Sequence, residues 1–149
     1  MMNLKATVAV ALISFAPCLT VGAKAMSFED FARMNNDDEA GYVVYLVEAA
    51  AQMLKAQGHA DQAGKAVSLF KDSSKNGGVH HLASNLEMLN SLNNRNATNP
   101  NNRVPVYQIE DAMELTFRDA GIIVPAKFLM ESGENFVPTG PPRHHTMGP

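Results

Sequence analysis

The chain has 149 residues, a formal net charge of −3 and 18% charged residues. This length suits a single domain with a core of its own. The mild acidity argues against a nucleic-acid or an anionic-membrane partner, because both require a concentrated positive field.

The first 25 residues have the pattern of a secretory signal peptide. Lys5 supplies an early positive charge, residues 6–16 are uncharged and mostly apolar, and the small-residue sequence Ala23-Lys24-Ala25 follows. This order is the one that the export machinery and signal peptidase recognise, and the apolar run is too short to span a bilayer. We therefore predict cleavage after Ala25, a mature chain that begins at Met26, and a periplasmic or secreted location without a transmembrane anchor.

Cleavage after Ala25 would change both the charge and the cysteine content. Residues 1–25 contain two lysines and no acid, so the formal net charge of −3 becomes −5. The only cysteine, Cys18, is also removed, and the core must stabilise the domain without a disulfide. A lipoprotein anchored through Cys18 is the alternative, but Pro17 stands where the lipoprotein signal requires a small residue.

Helical periodicity predicts the first three helices of the mature chain. A short helix is capped by Ser27 and ends near Met34, and a long helix covers residues 38–57, with Gly58 closing it. Two adjacent apolar stripes on the long helix predict that it is the central helix of the core. A third helix follows the turn at Gly58, with apolar residues at i, i+3, i+4 and i+7 as far as Phe70.

The second half of the chain is predicted to add three more helices. A fourth helix covers residues 79–92 and leads into an asparagine-rich segment, residues 93–103, whose composition favours turns. A fifth begins at Pro105 and is closed by Gly121, and a last short helix covers residues 126–131. Between these two, the apolar residues 122–124 are predicted to pack back on the core, with a short β-strand as the alternative.

These elements predict an all-α protein, a small single-domain bundle of about five main helices with a flexible C-terminal tail. The division is a signal peptide at residues 1–25, a helical domain at residues 26–134 and a tail rich in proline and glycine at residues 135–149. The core is predicted from large apolar side chains at helical spacing: Tyr42, Leu46, Met53, Phe70, Leu86, Met113 and Phe117.

The sequence contains no recognisable metal or nucleophile motif. His80-His81 and His144-His145 are adjacent pairs, and neighbours on a helix point about 100° apart, unlike the i, i+4 histidines of chelating sites. The serines lack the G-x-S-x-G context of an activated nucleophile. We therefore predict neither a metal site nor a cofactor.

Carboxylates are the remaining candidates for catalysis. Glu48 lies mid-helix among apolar residues and would support acid–base chemistry if it were partly buried, but its spacing from Gln52 and Lys55 favours the polar side of the helix. Glu110 and Asp111 fall in the first turns of the fifth helix, where the helix dipole favours acids.

The string Glu39-Ala40-Gly41-Tyr42-Val43-Val44-Tyr45-Leu46-Val47-Glu48-Ala49 resembles the C-x-G-Y-I-x-G-x-x-D-A helix of small periplasmic immunity proteins that neutralise amidase effectors of type VI secretion. Residues 103–117 are similar to the closing helix of that family. The resemblance implies an exported helical domain that binds a toxin and does no chemistry. Glu39 stands where the family has a cysteine, and Tyr45 replaces its second glycine.

A second resemblance concerns the turn after the long helix. Residues 58–63 are similar to the G-x-x-x-x-A turn of a tetratricopeptide helix pair, and Phe70 follows at a compatible spacing. This resemblance implies a helical adaptor. Residues 79–120 do not repeat the pattern, however, and a solenoid needs at least three repeats.

The predicted function is non-catalytic binding of another protein in the cell envelope, as an inhibitor or immunity-like protein. The alternatives are a tetratricopeptide-like adaptor and a carboxylate-dependent hydrolase that uses Glu48. The asparagine-rich segment exceeds the usual helix connection of about 2–8 residues, and loops often carry function. It is therefore the predicted binding surface, with a solvated connector as the alternative. The candidate contact residues are Asn94, Arg95, Asn101 and Arg103.

Overall fold

The structure is a computed structural model that describes residues 24–99, 101 and 106–143. The described residues form six α-helices and no strand, which confirms the predicted all-α class. The helices are α1 (Phe28–Arg33), α2 (Asn36–Ala56), α3 (Ala60–Lys71), α4 (Gly78–Ala97), α5 (Ile109–Asp119) and α6 (Ala126–Gly133). Most of the predicted signal peptide, Arg103, Pro105, His144 and His145 lie outside the described residues. None of the described helices combines the length and the apolarity needed to cross a membrane.

Helix α2 is the longest of the six described helices and packs against both α3 and α6. It begins where the Asn35 side chain accepts a hydrogen bond from the Asp38 N–H at 2.8 Å, an N-cap that satisfies one of the free donors of the first turn. It ends before Gly58, whose φ of +84° lets the chain turn back into α3. Its central position agrees with the prediction from the two apolar stripes.

Helix α4 is longer than predicted. It continues to Ala97, so residues 93–97 of the asparagine-rich segment are helical rather than part of a loop. The physical reason is tertiary. The Asn93 side chain donates to the Tyr107 carbonyl at 2.9 Å and accepts from the Tyr107 N–H at 2.8 Å. These two bonds hold the end of α4 against the entrance of α5 and outweigh the modest helix propensity of asparagine.

Helix α5 begins at Ile109, four residues after the predicted start at Pro105. Its first turn is set by Asp111, whose carboxylate accepts the Gln108 N–H at 2.7 Å. At its other end Gly121 has a φ of +76°, and the Ile122 N–H bonds back to the Phe117 carbonyl at 2.9 Å. Ile122 and Val124 are buried, so residues 122–124 pack back on the core as predicted and form no strand.

The core lies between α2, α5, α6 and the inner faces of α3 and α4. Four predicted core residues, Tyr42, Leu46, Met113 and Phe117, are fully buried. The other three predicted core residues are only partly buried and pack against its edge: Met53, Phe70 and Leu86.

The C-terminal segment, residues 136–143, contacts α1 and α2. Phe136 lies edge-on to Tyr42, with ring centroids 5.2 Å apart. The Asp38 carboxylate accepts hydrogen bonds from the Thr139 N–H, the Thr139 hydroxyl and the Gly140 N–H at 2.9–3.0 Å. Although residues 135–149 are predicted as a flexible tail, the described part of that tail is held against the helical domain by specific contacts.

Candidate functional site

The predicted contact residues of the asparagine-rich segment are surface residues. Asn94 and Arg95 lie in the last turn of α4 and are exposed, and Asn101 is exposed beyond the end of that helix. Arg103 lies outside the described residues. Their accessibility is compatible with a contact surface, and their role in binding stays a prediction.

Glu48, the candidate for acid–base catalysis, is exposed on α2. Gln52 and Lys55 are exposed as well. The interpretation that places Glu48 on the polar side of the helix is therefore confirmed, and the expectation that it could be partly buried is wrong. The hydrolase hypothesis requires a partly buried Glu48. Because the side chain is exposed to solvent, it does not lie in a cleft that would prepare it for proton transfer.

Glu110, at the start of α5, is the most deeply buried carboxylate of the described residues, and Asp38 is buried as well, with 3% of its surface exposed. The Glu110 side chain is fully buried and accepts a hydrogen bond from the Tyr42 hydroxyl of α2. The Met26 N–H points at both carboxylate oxygens, 3.0 Å from Oε1 and 3.1 Å from Oε2. Burial raises the pKa of Glu110, and the hydrogen bonds from Tyr42 and Met26 oppose that shift. Burial and the neighbouring carboxylate also raise the pKa of Tyr42.

The sequence predicts Glu110 as an acid that complements the helix dipole, whereas the structure buries its side chain in the core. A signal was present, because Glu110, Met113 and Phe117 are spaced i, i+3 and i+7 and so share the apolar face of α5. Its partner Tyr42 is 68 residues away in sequence. No local pattern could have paired the two side chains.

A cavity of about 510 Å³ lies next to Tyr42, between the N-terminal segment, α1 and the end of α6. Its walls are Lys24, Ala25, Met26, Asp30, Met34, Tyr42, Gly133, Glu134 and Phe136. Glu110 is not part of these walls, since it lies behind Met26 and Tyr42 with no exposed surface. Its carboxylate therefore connects the N-terminal segment, α2 and α5, and it has no access to a substrate in the cavity.

An apolar groove of about 370 Å³ runs between α2 and the first half of α4, and we call it the α2–α4 groove. It is lined by Phe31, Asn36, Glu39, Ala40, Val43, Val44, Phe70, Val79, Leu82, Ala83 and Leu86. Val44 and Val79 remain 53% and 57% exposed on its two sides. Exposed apolar side chains on both sides of one groove make it a candidate interaction surface.

The groove was not predicted, although its cause is visible in the sequence. The two apolar stripes of α2 make a face wider than one neighbouring helix can cover. Helix α3 covers part of that face, and Val43 and Val44 remain at its edge.

No group of three histidine, cysteine, aspartate or glutamate side chains that could hold a metal ion occurs among the described residues. His59, His80 and His81 are exposed. Comparisons with protein-family models, curated proteins and solved structures find no match to this chain.

Proposed function

We propose that this protein is exported and binds another protein of the cell envelope through the α2–α4 groove. The observation that carries the proposal is the exposure of Val44 and Val79 on opposite sides of one apolar groove. Fully burying an exposed valine side chain contributes roughly 1.5–3 kcal/mol, and covering the exposed half of Val44 or of Val79 contributes roughly half of that. A partner that covers both valines therefore gains affinity without requiring the helices to move.

The shape of the groove indicates the chemistry of its occupant. Helices α2 and α4 supply most of its lining, with Phe31 of α1 and Phe70 of α3 beside them, and a groove between helices accepts the apolar face of a further amphipathic helix with anchors spaced i, i+3 and i+4. Its polar residues, Asn36 and Glu39, both come from the first turn of α2. Arg143 contacts both side chains, and its Nη2 lies 3.1 Å from Glu39 Oε2, so this charge is already compensated. Apolar contact is thus the expected source of affinity.

The resemblance to immunity proteins supports a narrower form of this proposal. The resembling string begins at Glu39, and Glu39, Ala40, Val43 and Val44 all line the groove. The same segment thus carries the resemblance and one wall of the groove. In this narrower form the partner is a toxic enzyme, and the protein acts as its inhibitor.

Site-specific photocrosslinking in the host cells tests the proposal. A photoreactive phenylalanine analogue placed at Val44 should give one crosslinked protein adduct, identified by mass spectrometry, and the same analogue at Val79 should give the same adduct. The matched control is Met88, which is 47% exposed on α4 but does not line the groove. An analogue at Met88 should give no adduct with that partner.

Charge substitution then tests the energetic contribution of the groove. Val44→Asp and Val79→Asp should each weaken binding of the crosslinked partner at least about tenfold, which corresponds to about 1.4 kcal/mol. Met88→Asp should leave the affinity unchanged. Equal binding by all three variants, or crosslinking from Met88 alone, would contradict the proposal. If the partner is an amidase, its inhibition by the mature protein would support the narrower form.

A further inference from the structure

Met26 is fixed to the first turn of α5 by both of its backbone polar groups. Its N–H donates to the two Glu110 oxygens at 3.0 and 3.1 Å, and its carbonyl accepts the Ile109 N–H at 3.0 Å. The two segments are 84 residues apart in sequence. Such a double attachment places the Met26 nitrogen at one defined position beside a buried carboxylate.

Glu110 lacks a cationic partner among the described residues. The ion pairs of this part of the chain involve Glu29, Glu39 and Glu114, and all of them lie at the surface. The donors to Glu110 are a phenol and a backbone amide, and both are neutral. A buried carboxylate without a positive partner is costly, because burial removes its hydration without replacing it by an opposite charge.

We propose that Glu110 is the binding site for the α-ammonium group of Met26, which is created when the chain is cleaved after Ala25. Hydrolysis of the Ala25–Met26 peptide bond consumes one water, leaves a carboxylate on Ala25, and leaves an amine on Met26 that takes up a proton. The nitrogen that becomes this ammonium already lies within hydrogen-bond distance of both Glu110 oxygens. The inference uses the predicted cleavage site and is independent of the proposed binding function.

The surroundings of the Met26 nitrogen favour a positive charge. The titratable groups near it are Glu110 and Asp111 from α5, Tyr42 from α2, Asp30 from α1, and Lys24 and Glu134 beside the adjoining cavity. Lys24, the only cation of this set, would leave with the signal peptide.

Cleavage would therefore complete a buried ion pair that the precursor cannot form. In the precursor, residue 26 offers a single neutral amide N–H to the carboxylate. In the mature chain the same atom offers a charge and further donors, and the charge-assisted bonds are about twice as strong as neutral ones. The native fold is thereby stabilised specifically in the processed form.

The first test is the start of the exported chain, measured by intact mass and N-terminal sequencing. We expect Met26 as the first residue. A chain that begins at Lys24, whose backbone nitrogen lies 2.7 Å from Glu134 Oε1, would overturn the inference, and so would an uncleaved chain.

The second test measures the ammonium directly in folded mature protein, by NMR titration of the labelled α-amino group of Met26. The pKa of that group should lie well above its ordinary value of about 8, because the ion pair favours the charged form. A pKa at or below the ordinary value would overturn the proposal. This measurement uses the protein without substitutions, so it does not depend on whether a variant folds.

A thermodynamic cycle adds a stability measurement. Two chains released from a cleavable fusion begin at Met26 or at Ala25, and the second displaces the amine by one residue, about 3.8 Å between Cα atoms. At pH 7 the extra alanine should lower the unfolding temperature by several degrees, and in the Glu110→Gln background the loss should disappear. Equal losses in both backgrounds would overturn the inference. Because the amine's pKa is raised, the difference measured at pH 7 should persist to about pH 8 and vanish as the pH rises further through the raised pKa.

Discussion

Tyr42 joins three parts of the protein through one ring and one hydroxyl. Its hydroxyl donates to the buried Glu110 of α5, and its ring contacts Phe136 of the C-terminal segment edge-on. Tyr42 itself belongs to α2 and is 1% exposed. A single side chain thus couples the central helix to two segments that are distant in sequence.

Tyr42→Phe isolates the contribution of that hydroxyl. The ring and its contact with Phe136 are kept, while the buried Glu110 keeps the Met26 N–H but loses its other donor, and a hydrogen bond to a charged group contributes about 1.5–3 kcal/mol. We expect the free energy of unfolding, measured by denaturant titration, to fall by that amount. Tyr45→Phe is the matched control, since Tyr45 also contacts Phe136 but does not bond to Glu110, and it should change stability by less than about 0.5 kcal/mol.

At the scale of the element, α2 has a buried and a solvent-facing side that can be separated by truncation. Leu46 is fully buried, so Leu46→Ala should lower the free energy of unfolding by about 2–5 kcal/mol, the sum of lost transfer energy and the cavity left behind. Val44→Ala on the same helix removes a side chain that is 53% exposed and should cost less than about 0.5 kcal/mol. Equal losses at the two positions, measured by denaturant unfolding, would contradict the assignment of the buried face.

The elements also show how far local sequence determines this fold. Periodicity and caps were sufficient to predict the six helices, because apolar spacing and capping residues act within a few residues. The errors lie at the end of α4 and the start of α5, where Asn93 and Tyr107 bond to each other across 14 residues. Tertiary hydrogen bonds of this kind extend a helix beyond the point that propensity favours.

The same limit applies to the candidate sites. The apolar stripes of α2 are evident in the sequence, but the part of that face that stays uncovered depends on where α3 and α4 pack. Likewise, Glu110 lies on an apolar stripe, yet its pairing with Tyr42 and Met26 depends on the packing of three distant segments. The α2–α4 groove and the buried Glu110 acceptor therefore arise from tertiary packing, which no local sequence pattern encodes.

At the scale of the whole molecule, the two ends of the described chain are held close to Tyr42. Met26, from the N-terminal segment, and Phe136, from the C-terminal segment, both line the cavity beside that residue. The N-terminal segment bonds to α5, and the C-terminal segment bonds to Asp38 of α2. Each terminal segment therefore adds specific contacts to the helical bundle, the first to α5 and the second to α2.

A chain that ends at Asn135 tests whether the C-terminal segment stabilises the domain. Compared with a chain that ends at Pro142, it loses the partly buried Phe136 and the three hydrogen bonds to Asp38. Since truncating a fully buried aromatic costs about 3–5 kcal/mol, we expect this shortening to cost about 2 kcal/mol or more at pH 7. Equal unfolding midpoints for the two chains would show that the segment contributes nothing to stability.

Acid should weaken this attachment in a defined range of pH. The Thr139 N–H is the main cause that lowers the pKa of Asp38 below 3.8, with help from Gly140 and Asn35 and against the effect of burial. A carboxylate with a lowered pKa contributes its full stabilisation above the unfolded value and loses it as the pH falls through the folded value. The stability difference between the two chains should therefore be constant at neutral pH and shrink below about pH 3.8. In the Asp38→Asn background the stability difference between the two chains should no longer depend on pH in that range. Denaturant titrations of all four proteins between pH 2 and pH 7 measure this difference.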